Sequence, residues 1–303
     1  MRFPALLIPL MALPLGLVAQ ETWSPDTATF TYTSMREGNA EIYRQVGVRG
    51  VPDNLTRNPA QDHSARTSPD GRWIVFQSLR DGNREIYLMP AAGGEPTNLT
   101  RDPEQDILPE WFPDGRILFF STRGEPRGPN GEFRGNLYAM NRDGSGVTRL
   151  TAEPLTSSFG GHVSPDGRRI AFAREAAGDI EVFQMDADGS AEQQLTRMEG
   201  GDYGARFSPD GRWIAFHHSV GDEARIMIMA ADGSDIRTLT TGGQHYGPVW
   251  SPDGRWILFS GAPLGARQFD LLLAPAAGGT VRPLVATEVD ERSGEWGGRR
   301  TED

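Results

Sequence analysis

One short phrase recurs along the chain and constrains the fold more than any other feature. "SPDGRW" stands at residues 68–73, 208–213 and 251–256, and shorter forms stand at 23–27, 112–115 and 164–167. The signature aspartates are Asp26, Asp70, Asp114, Asp166, Asp210 and Asp253. Copies at intervals of roughly 44 residues indicate a repeat architecture.

Each repeat contains four short segments with the composition of β-strands. The Pro-Asp-Gly of the signature favours a tight turn, because proline fixes φ, aspartate bonds its own backbone and glycine accepts positive φ. Third and fourth segments such as "EIYLMP" at 85–90 and "TNLT" at 97–100 complete the repeat. The second segment is apolar, and an aromatic residue recurs at one position in it: Tyr32, Phe76, Phe119, Phe172, Phe216 and Phe259.

Four antiparallel strands form a sheet that cannot bury both faces alone. Sheets stacked around an axis bury one another and leave only short edges. The 37 glycines and 22 prolines also suit short strands and turns. We therefore predict an all-β fold, a six-bladed β-propeller of four-stranded antiparallel blades over residues 20–298, with a tail at 299–303.

The pattern "WSPDG…IAF…IY.M…DG…LT" resembles the PD-type repeat of the TolB-like β-propeller family. The likeness covers residues 21–290 and corresponds to the TolB C-terminal propeller without the α/β domain that precedes it in TolB. The resemblance implies a propeller fold and a role in the cell envelope, such as contact with a peptidoglycan-associated partner. The same repeat occurs in propeller domains of some serine peptidases.

The first 19 residues have the pattern of a secretory signal. One arginine precedes an apolar run that ends near Ala19. This pattern predicts cleavage near Ala19 or Gln20 and a periplasmic or secreted protein. An uncleaved anchor is the alternative, but the run is short and holds three prolines. After signal removal we expect no membrane span.

Two segments compete to complete the first blade. Residues 21–26, "ETWSPD", precede its first apolar strand, whereas residues 293–298, "SGEWGG", lie where a seventh signature is due. We favour 21–26 as the inner strand with the tail packed beside it. Donation of that strand by the tail is the close alternative. In either case the ends must meet, because an open ring exposes a strand edge.

Polar residues precede the predicted inner strands and are expected at one mouth of the central channel. Eight residues before the signature aspartates come Asp62, Asp106, Ser158, Asp202 and His245, with His63 beside Asp62, and Asp290 has the comparable place in the tail. Four residues before the signature aspartates come Arg66, Glu110, His162, Arg206 and Val249. The aspartates suit turn capping as well as binding. The second series changes chemistry from repeat to repeat, which favours binding.

The hypothesis for function is a non-enzymatic scaffold that presents its channel mouth and loops to a protein, peptide or envelope polymer. No G-x-S-x-G motif and no phosphate-binding loop is present. The alternative is a metal-assisted polysaccharide lyase or hydrolase, which requires His63, His162 and His245 to converge with a carboxylate. We expect no cofactor; Ca²⁺ or another divalent cation at Asp62, Asp106, Asp202 or Asp290 is the alternative.

Charge and composition restrict the partners further. The net charge of −11 argues against nucleic acid as a partner, and the lack of cysteine excludes disulfides and thiol chemistry. We expect a monomer.

One loop, between Ser121 and Tyr138, is about eight residues longer than its equivalents, a length change that folds tolerate. Its Arg127, Phe133 and Arg134 are candidates for partner contact.

A second recurrent pattern lies in the loop after the second segment. Arg36 precedes Glu41, and Arg80 precedes Glu85, in the near-identical "REGNAEIY" and "RDGNREIY". We predict a salt bridge within each hairpin, with a structural role.

Overall fold

The structure is a computed structural model that describes residues 23–127, 134–151, 155–156 and 160–297. These ranges contain strands, turns and loops and no helix, so nothing in them is a helix able to span a membrane. The first strands are β1 (Thr29–Ser34), β2 (Glu41–Val46), β3 (Asp53–Asn54), β4 (Asp62–Thr67), β5 (Trp73–Ser78), β6 (Glu85–Pro90), β7 (Thr97–Asn98), β8 (Asp106–Trp111), β9 (Ile117–Ser121), β10 (Arg134–Met140), β11 (Thr148–Arg149) and β12 (Leu155–Thr156). The remaining strands are β13 (His162–Val163), β14 (Arg169–Ala176), β15 (Asp179–Asp186), β16 (Gln193–Gln194), β17 (Gly201–Phe207), β18 (Trp213–Val220), β19 (Glu223–Ala230), β20 (Arg237–Thr238), β21 (Gln244–Trp250), β22 (Trp256–Ala262), β23 (Asp270–Pro275), β24 (Arg282–Val285) and β25 (Glu291–Trp296).

The strands pair antiparallel in groups of four, which confirms the predicted all-β class and the four-stranded unit. From the innermost strand outward the groups are β25-β1-β2-β3, β4-β5-β6-β7, β8-β9-β10-β11, β13-β14-β15-β16, β17-β18-β19-β20 and β21-β22-β23-β24. We call each group a blade. Short parallel pairings, such as Ile180 with Gly201, link some neighbouring blades.

The innermost strands contact one another in a closed order. Strands β4, β8, β13, β17, β21 and β25 follow one another, and β25 contacts β4 again. The favoured prediction for the first blade is wrong: its inner strand is β25, paired with β1, and residues 23–26 lie outside any strand. Trp23 packs edge-on against Trp296, with ring centroids 4.8 Å apart.

The apolar core lies between successive blades. One cluster joins Phe112 and Phe120 of one blade to Phe172 and Phe183 of the next, and another joins Trp296 to Leu258 across the closing junction. All the recurrent aromatics of the second strands are buried. Each blade therefore buries its faces against both neighbours, as a radial stack requires.

The signature turn forms the junction between the first two strands of a blade. In the turn after β17, the Ser208 hydroxyl donates to Asp210 (2.6 Å) and accepts from the Trp213 backbone N–H (3.0 Å). Asp210 also accepts from the Arg212 N–H (3.1 Å), and Gly211 has φ 70°. This arrangement repeats at Ser68, Ser164 and Ser251. The inner strand thus begins at one mouth of the channel and ends at the signature turns.

Candidate functional site

β-bulges surround the mouth at which the inner strands begin. One β-bulge interrupts the pairing of an inner strand with the next strand of its blade. This occurs in β4, β8, β17 and β21. Each bulge contains one residue with positive φ, and so does the register shift between β25 and β1. These residues are Ser64, Leu108, Gly204, Gly247 and Ser293. We call this opening the bulge-side mouth. Three of these residues are not glycine, and such strained backbone is common at functional sites.

Charged side chains meet at the middle of the channel. Glu110 Oε2 lies 2.8 Å from Arg206 Nη1 and 3.2 Å from Arg66 Nε. Glu295 Oε2 lies 3.4 Å from Arg66 Nε and 3.6 Å from Arg206 Nη1. With His162 these residues form the waist cluster: Arg66, Glu110, His162, Arg206 and Glu295. The structure therefore brings together all the polar residues of the chemically varied series predicted from the sequence.

The two carboxyl groups of the waist cluster have opposite pKa shifts. Burial raises the pKa of Glu110, but the neighbouring Arg206, His162 and Arg66 together outweigh it, so the pKa lies well below its ordinary value. Burial raises the pKa of Glu295, and this effect is larger than the lowering by Arg66 and Arg206. The difference follows from geometry, because Glu295 is farther from both cations and its Oε2 accepts no hydrogen bond from the described residues.

His162 contributes a neutral ring to the waist. Its Nδ1 accepts a hydrogen bond from the Phe207 backbone N–H (3.2 Å). Burial, aided by Arg206 and Arg66 and opposed by Glu110, lowers the pKa of His162 to about 3. A neutral ring whose Nδ1 accepts must carry its proton on Nε2.

The waist cluster separates two cavities. The cavity toward the bulge-side mouth has a volume of about 180 Å³, and the cavity toward the signature turns about 360 Å³. Glu110, His162 and Arg206 line both, Arg66 lines only the former and Glu295 only the latter. Trp111, Phe207, Trp250 and several prolines make the larger cavity more apolar.

Aromatic side chains follow one arc of the bulge-side mouth. Tyr203 stacks on His217, with 5.2 Å between ring centroids. The rings of His217 and Tyr246 are nearly perpendicular, with their centroids also 5.2 Å apart. Tyr246 lies 5.7 Å from Phe269, above which the Arg292 guanidinium lies at 4.1 Å. We call Tyr203, His217, Tyr246, Phe269 and Arg292 the aromatic arc. Burial lowers the pKa of His217 to about 3.

The predicted aspartate series lies at the starts of inner strands, where each member has a partner in its own blade. Asp62 bonds Arg80 (3.0 Å), Asp106 bonds Arg123 (2.7 Å) and Asp202 bonds His218 Nδ1 (2.7 Å). All three carboxylates are buried. In the first blade the equivalent carboxylate is Glu291, which bonds Arg36 (2.8 Å).

The predicted hairpin salt bridges are therefore wrong. Arg36 and Arg80 pair with the buried carboxylates Glu291 and Asp62, and their guanidinium groups also lie over Tyr43 and Tyr87 at 4.6 and 4.7 Å. Glu85 instead bonds Thr100, and Glu41 likewise bonds Thr56. Asp290 lies one residue before Glu291, accepts from the Phe269 N–H (2.9 Å) and pairs with Arg292.

The three histidines considered for a metal site have different surroundings. His63 Nε2 is 3.5 Å from Gln61 Oε1, and His245 Nδ1 is 2.8 Å from the Thr240 hydroxyl with its ring against Phe259. His162 faces the waist cluster. In the parts of the chain that the structure describes, no group of three or more histidine, aspartate or glutamate residues could hold a metal ion.

The long loop is described only at its ends. Arg127 and Arg134 are exposed, while Phe133 and residues 128–132 lie outside the described residues, as do residues 1–19. Arg134 begins β10, where it pairs with Thr156 of β12.

Glu295 and the aromatic arc are the parts of the site that sequence reasoning missed. A signal for Glu295 exists, because Glu295–Trp296 repeats the Glu110–Trp111 pair of β8. Tyr203, Tyr246 and Arg292 share one position, directly before the left-handed residue of a bulge. Alignment of the inner strands by that position would have found them.

Four-stranded blades that meet in a closed order around a channel define the β-propeller class of protein. Residues 130–299, more than half of the chain, match the TolB beta propeller domain family, and residues 46–135 match the Tricorn protease N-terminal beta propeller domain. The chain belongs to the TolB beta propeller domain family.

Solved structures share this fold at low sequence identity. A putative TolB from Agrobacterium tumefaciens is 19% identical with a TM-score of 0.69, over 88% of this chain and 91% of that one. TolB from Acinetobacter baumannii is 19% identical with a TM-score of 0.77, over 91% and 68%. Kuenenia stuttgartiensis hydrazine synthase is 15% identical with a TM-score of 0.75, over 89% and 47%. Among curated proteins, none matches the chain.

Proposed function

We propose that this protein is an exported, non-enzymatic binding scaffold, a monomeric six-bladed propeller that presents its bulge-side mouth to a protein or peptide of the cell envelope. The six signature copies and the strand order of the blades support the blade number. The signal pattern of residues 1–19 and the family support export to the periplasm.

The observation that carries the proposal is the aromatic arc at the mouth. Tyrosine and arginine are enriched at protein interfaces, because they combine a large apolar area with polar groups. Tyr203, His217 and Tyr246 are half-buried, so each ring keeps surface for a partner. The stacking holds the rings in place before binding, which lowers the entropy lost when a partner docks.

Below the arc, the waist cluster supplies charge to the same mouth. Arg66, Glu110, His162 and Arg206 line the cavity beneath it. Asp62, Asp106 and Asp202 support this site from within the blades and do not contact the partner in this proposal. Arg127 and Arg134, with Phe133, form a second contact at the long loop.

The test is crosslinked capture from an envelope fraction with the purified mature protein as bait. The double variant Tyr203→Ala/Tyr246→Ala loses the captured species, since it removes both tyrosines of the arc. The matched control Trp73→Ala/Trp213→Ala removes two half-buried aromatic side chains at the signature-turn end and keeps capture. Identical capture by both variants, or no capture by the unmodified protein, contradicts the proposal.

A further inference from the structure

The waist cluster contains more hydrogen-bond donors than its carboxylates use. Arg206 donates a hydrogen bond to Glu110 from Nη1, and its Nε and Nη2 make no hydrogen bond to another described residue. Arg66 uses Nε toward Glu110 and Nη1 toward its neighbour's carbonyl, which leaves Nη2. The Nε2–H of His162 is a further donor, because Nδ1 is the acceptor.

These donors line a cavity of a size that suits one small group. The bulge-side cavity of about 180 Å³ is lined at its floor by Arg66, Glu110, His162 and Arg206. That volume corresponds to roughly six water molecules at 30 Å³ each. Glycines 160, 161, 204, 247 and 294 form much of its wall. Ser64 and Ser293 add hydroxyl groups near its opening.

Glu295 is a weak partner for the two guanidinium groups. Its Oε2 is 3.4 and 3.6 Å from their nitrogens and accepts no hydrogen bond from the described part of the chain. Glu110, in contrast, is held by Arg206 at 2.8 Å and by its own strand, since its Oε1 accepts from the Trp111 N–H (2.9 Å). The two cations therefore share one carboxylate, Glu110, as their hydrogen-bonded anion.

We propose that the bulge-side cavity binds a single carboxylate group, which lies against Arg66, Arg206 and the Nε2–H of His162. Guanidinium forks match carboxylates in geometry, and hydrogen bonds between charged groups are stronger than neutral ones. The inference rests on the proposed function where the carboxylate belongs to a peptide partner. A free small organic acid offers the same chemistry.

Binding of this carboxylate is coupled to uptake of a proton. An incoming carboxylate adds a third negative charge, beside those of Glu110 and Glu295, to two cations. Glu295 is the group that takes up the proton. The titratable and charged groups that face it are Arg66, Glu110, His162 and Arg206, from β4, β8, β13 and β17. Glu110 stays ionised because it keeps its close cation, and burial already favours the protonated form of Glu295.

The experiment is isothermal titration calorimetry of the purified mature protein at pH 7 with three probes. They are sodium acetate, N-acetyl-triglycine with a free C-terminal carboxylate, and the corresponding C-terminal amide. We expect both carboxylates to bind and the amide not to bind. Stronger binding of the peptide acid than of acetate assigns the site to a peptide end, and equal binding assigns it to small acids. Absence of binding by both acids overturns the proposal.

Two variants and a control establish where the carboxylate binds. Glu295→Gln removes the competing anion, so the acids bind about tenfold more tightly and the proton uptake, measured in buffers of different ionisation enthalpy, disappears. Arg206→Gln weakens binding at least about tenfold, since it removes a charged donor. Arg212→Gln makes the same charge change at an exposed turn and leaves affinity unchanged.

The outcomes separate this inference from the proposed function. If Arg206→Gln does not fold, the increased affinity of Glu295→Gln for the acids still tests the proposal. Equal affinity of Glu295→Gln and the unmodified protein overturns the proposal. Partner capture depends on the aromatic arc, whereas acetate binding does not. Capture without carboxylate binding therefore contradicts only the inference, and carboxylate binding without capture contradicts only the proposed function.

Discussion

Buried carboxylates at the starts of the inner strands perform one structural task in several blades. Asp62, Asp106 and Glu291 each hold an arginine from the loop just after the second strand. In one blade His218 replaces the arginine beside Asp202. Burial raises the pKa of each carboxyl group and outweighs the attraction of its partner. Such pairs fix the strand ends at the mouth more than they add stability.

Asp106 gives a prediction for the dependence of stability on pH. Burial, opposed by the Ser121 hydrogen bond and the charge of Arg123, raises the pKa of Asp106 to about 6 from an ordinary 3.8. The folded protein therefore holds this proton more tightly than the unfolded chain, and the stabilisation is complete below pH 3.8 and lost as the pH rises through 6. Asn at this position stays neutral. The free energy of unfolding of the unmodified protein, relative to Asp106→Asn, falls by up to about 3 kcal/mol between pH 4 and 7.

Urea denaturation at pH 4, 5, 6 and 7 measures this difference. Asp114→Asn makes the same chemical change at an exposed signature turn and serves as the control. A constant difference between the unmodified protein and Asp106→Asn across these four pH values contradicts the prediction.

At the scale of the strand and turn, the signature acts as a closed hydrogen-bond unit. Ser208→Ala removes a donor to Asp210 and the acceptor for the Trp213 N–H at the start of β18. We expect a loss of about 1–2 kcal/mol in the free energy of unfolding. Chemical denaturation followed by circular dichroism measures it.

The comparison for this turn is Ser190→Ala. Ser190 makes similar bonds to Asp188 in an exposed turn, so its replacement costs less than about 0.5 kcal/mol. Equal losses at Ser208 and Ser190 would show that the signature serine has no special role in joining the first two strands.

Local elements were predictable and distant pairings were not. The turns and the buried aromatics, such as Phe76 and Phe216, follow from residues within one repeat. Arg36 pairs with Glu291, which is 255 residues away, and nothing within the "REGN" segment indicates that partner. The waist series was predictable because its residues share one position in each repeat, whereas the aromatic arc depends on contacts between blades.

At the scale of the whole molecule, the ring closes through β25, which is distant in sequence from its partner β1. Trp296 is buried in the cluster that joins the first and last blades, and β25 pairs with β1 along its length. The sequence left two candidates for this strand, because both residues 21–26 and 293–298 carry tryptophan near a signature-like position. Only the three-dimensional pairing with β1 distinguishes them.

Trp296→Ala tests the closure. We expect the free energy of unfolding to fall by about 3–5 kcal/mol, as for other buried aromatic residues replaced by alanine. Trp256 is a partly buried tryptophan of the same cluster, on β22. For Trp256→Ala we expect a smaller decrease in the free energy of unfolding. Guanidinium denaturation followed by circular dichroism provides the measurement, and a smaller loss at Trp296 than at Trp256 contradicts the central role of the closing strand.

The wide separation of β1 and β25 along the chain also determines when the ring can close. β1 (Thr29–Ser34) is synthesised long before its partner strand β25 (Glu291–Trp296). At ribosomal rates this delay is on the order of tens of seconds, during which the hydrogen-bonding edge of β1 is open. A chain whose synthesis stops early keeps that edge open, and it becomes an acceptor for the last strand of a second copy.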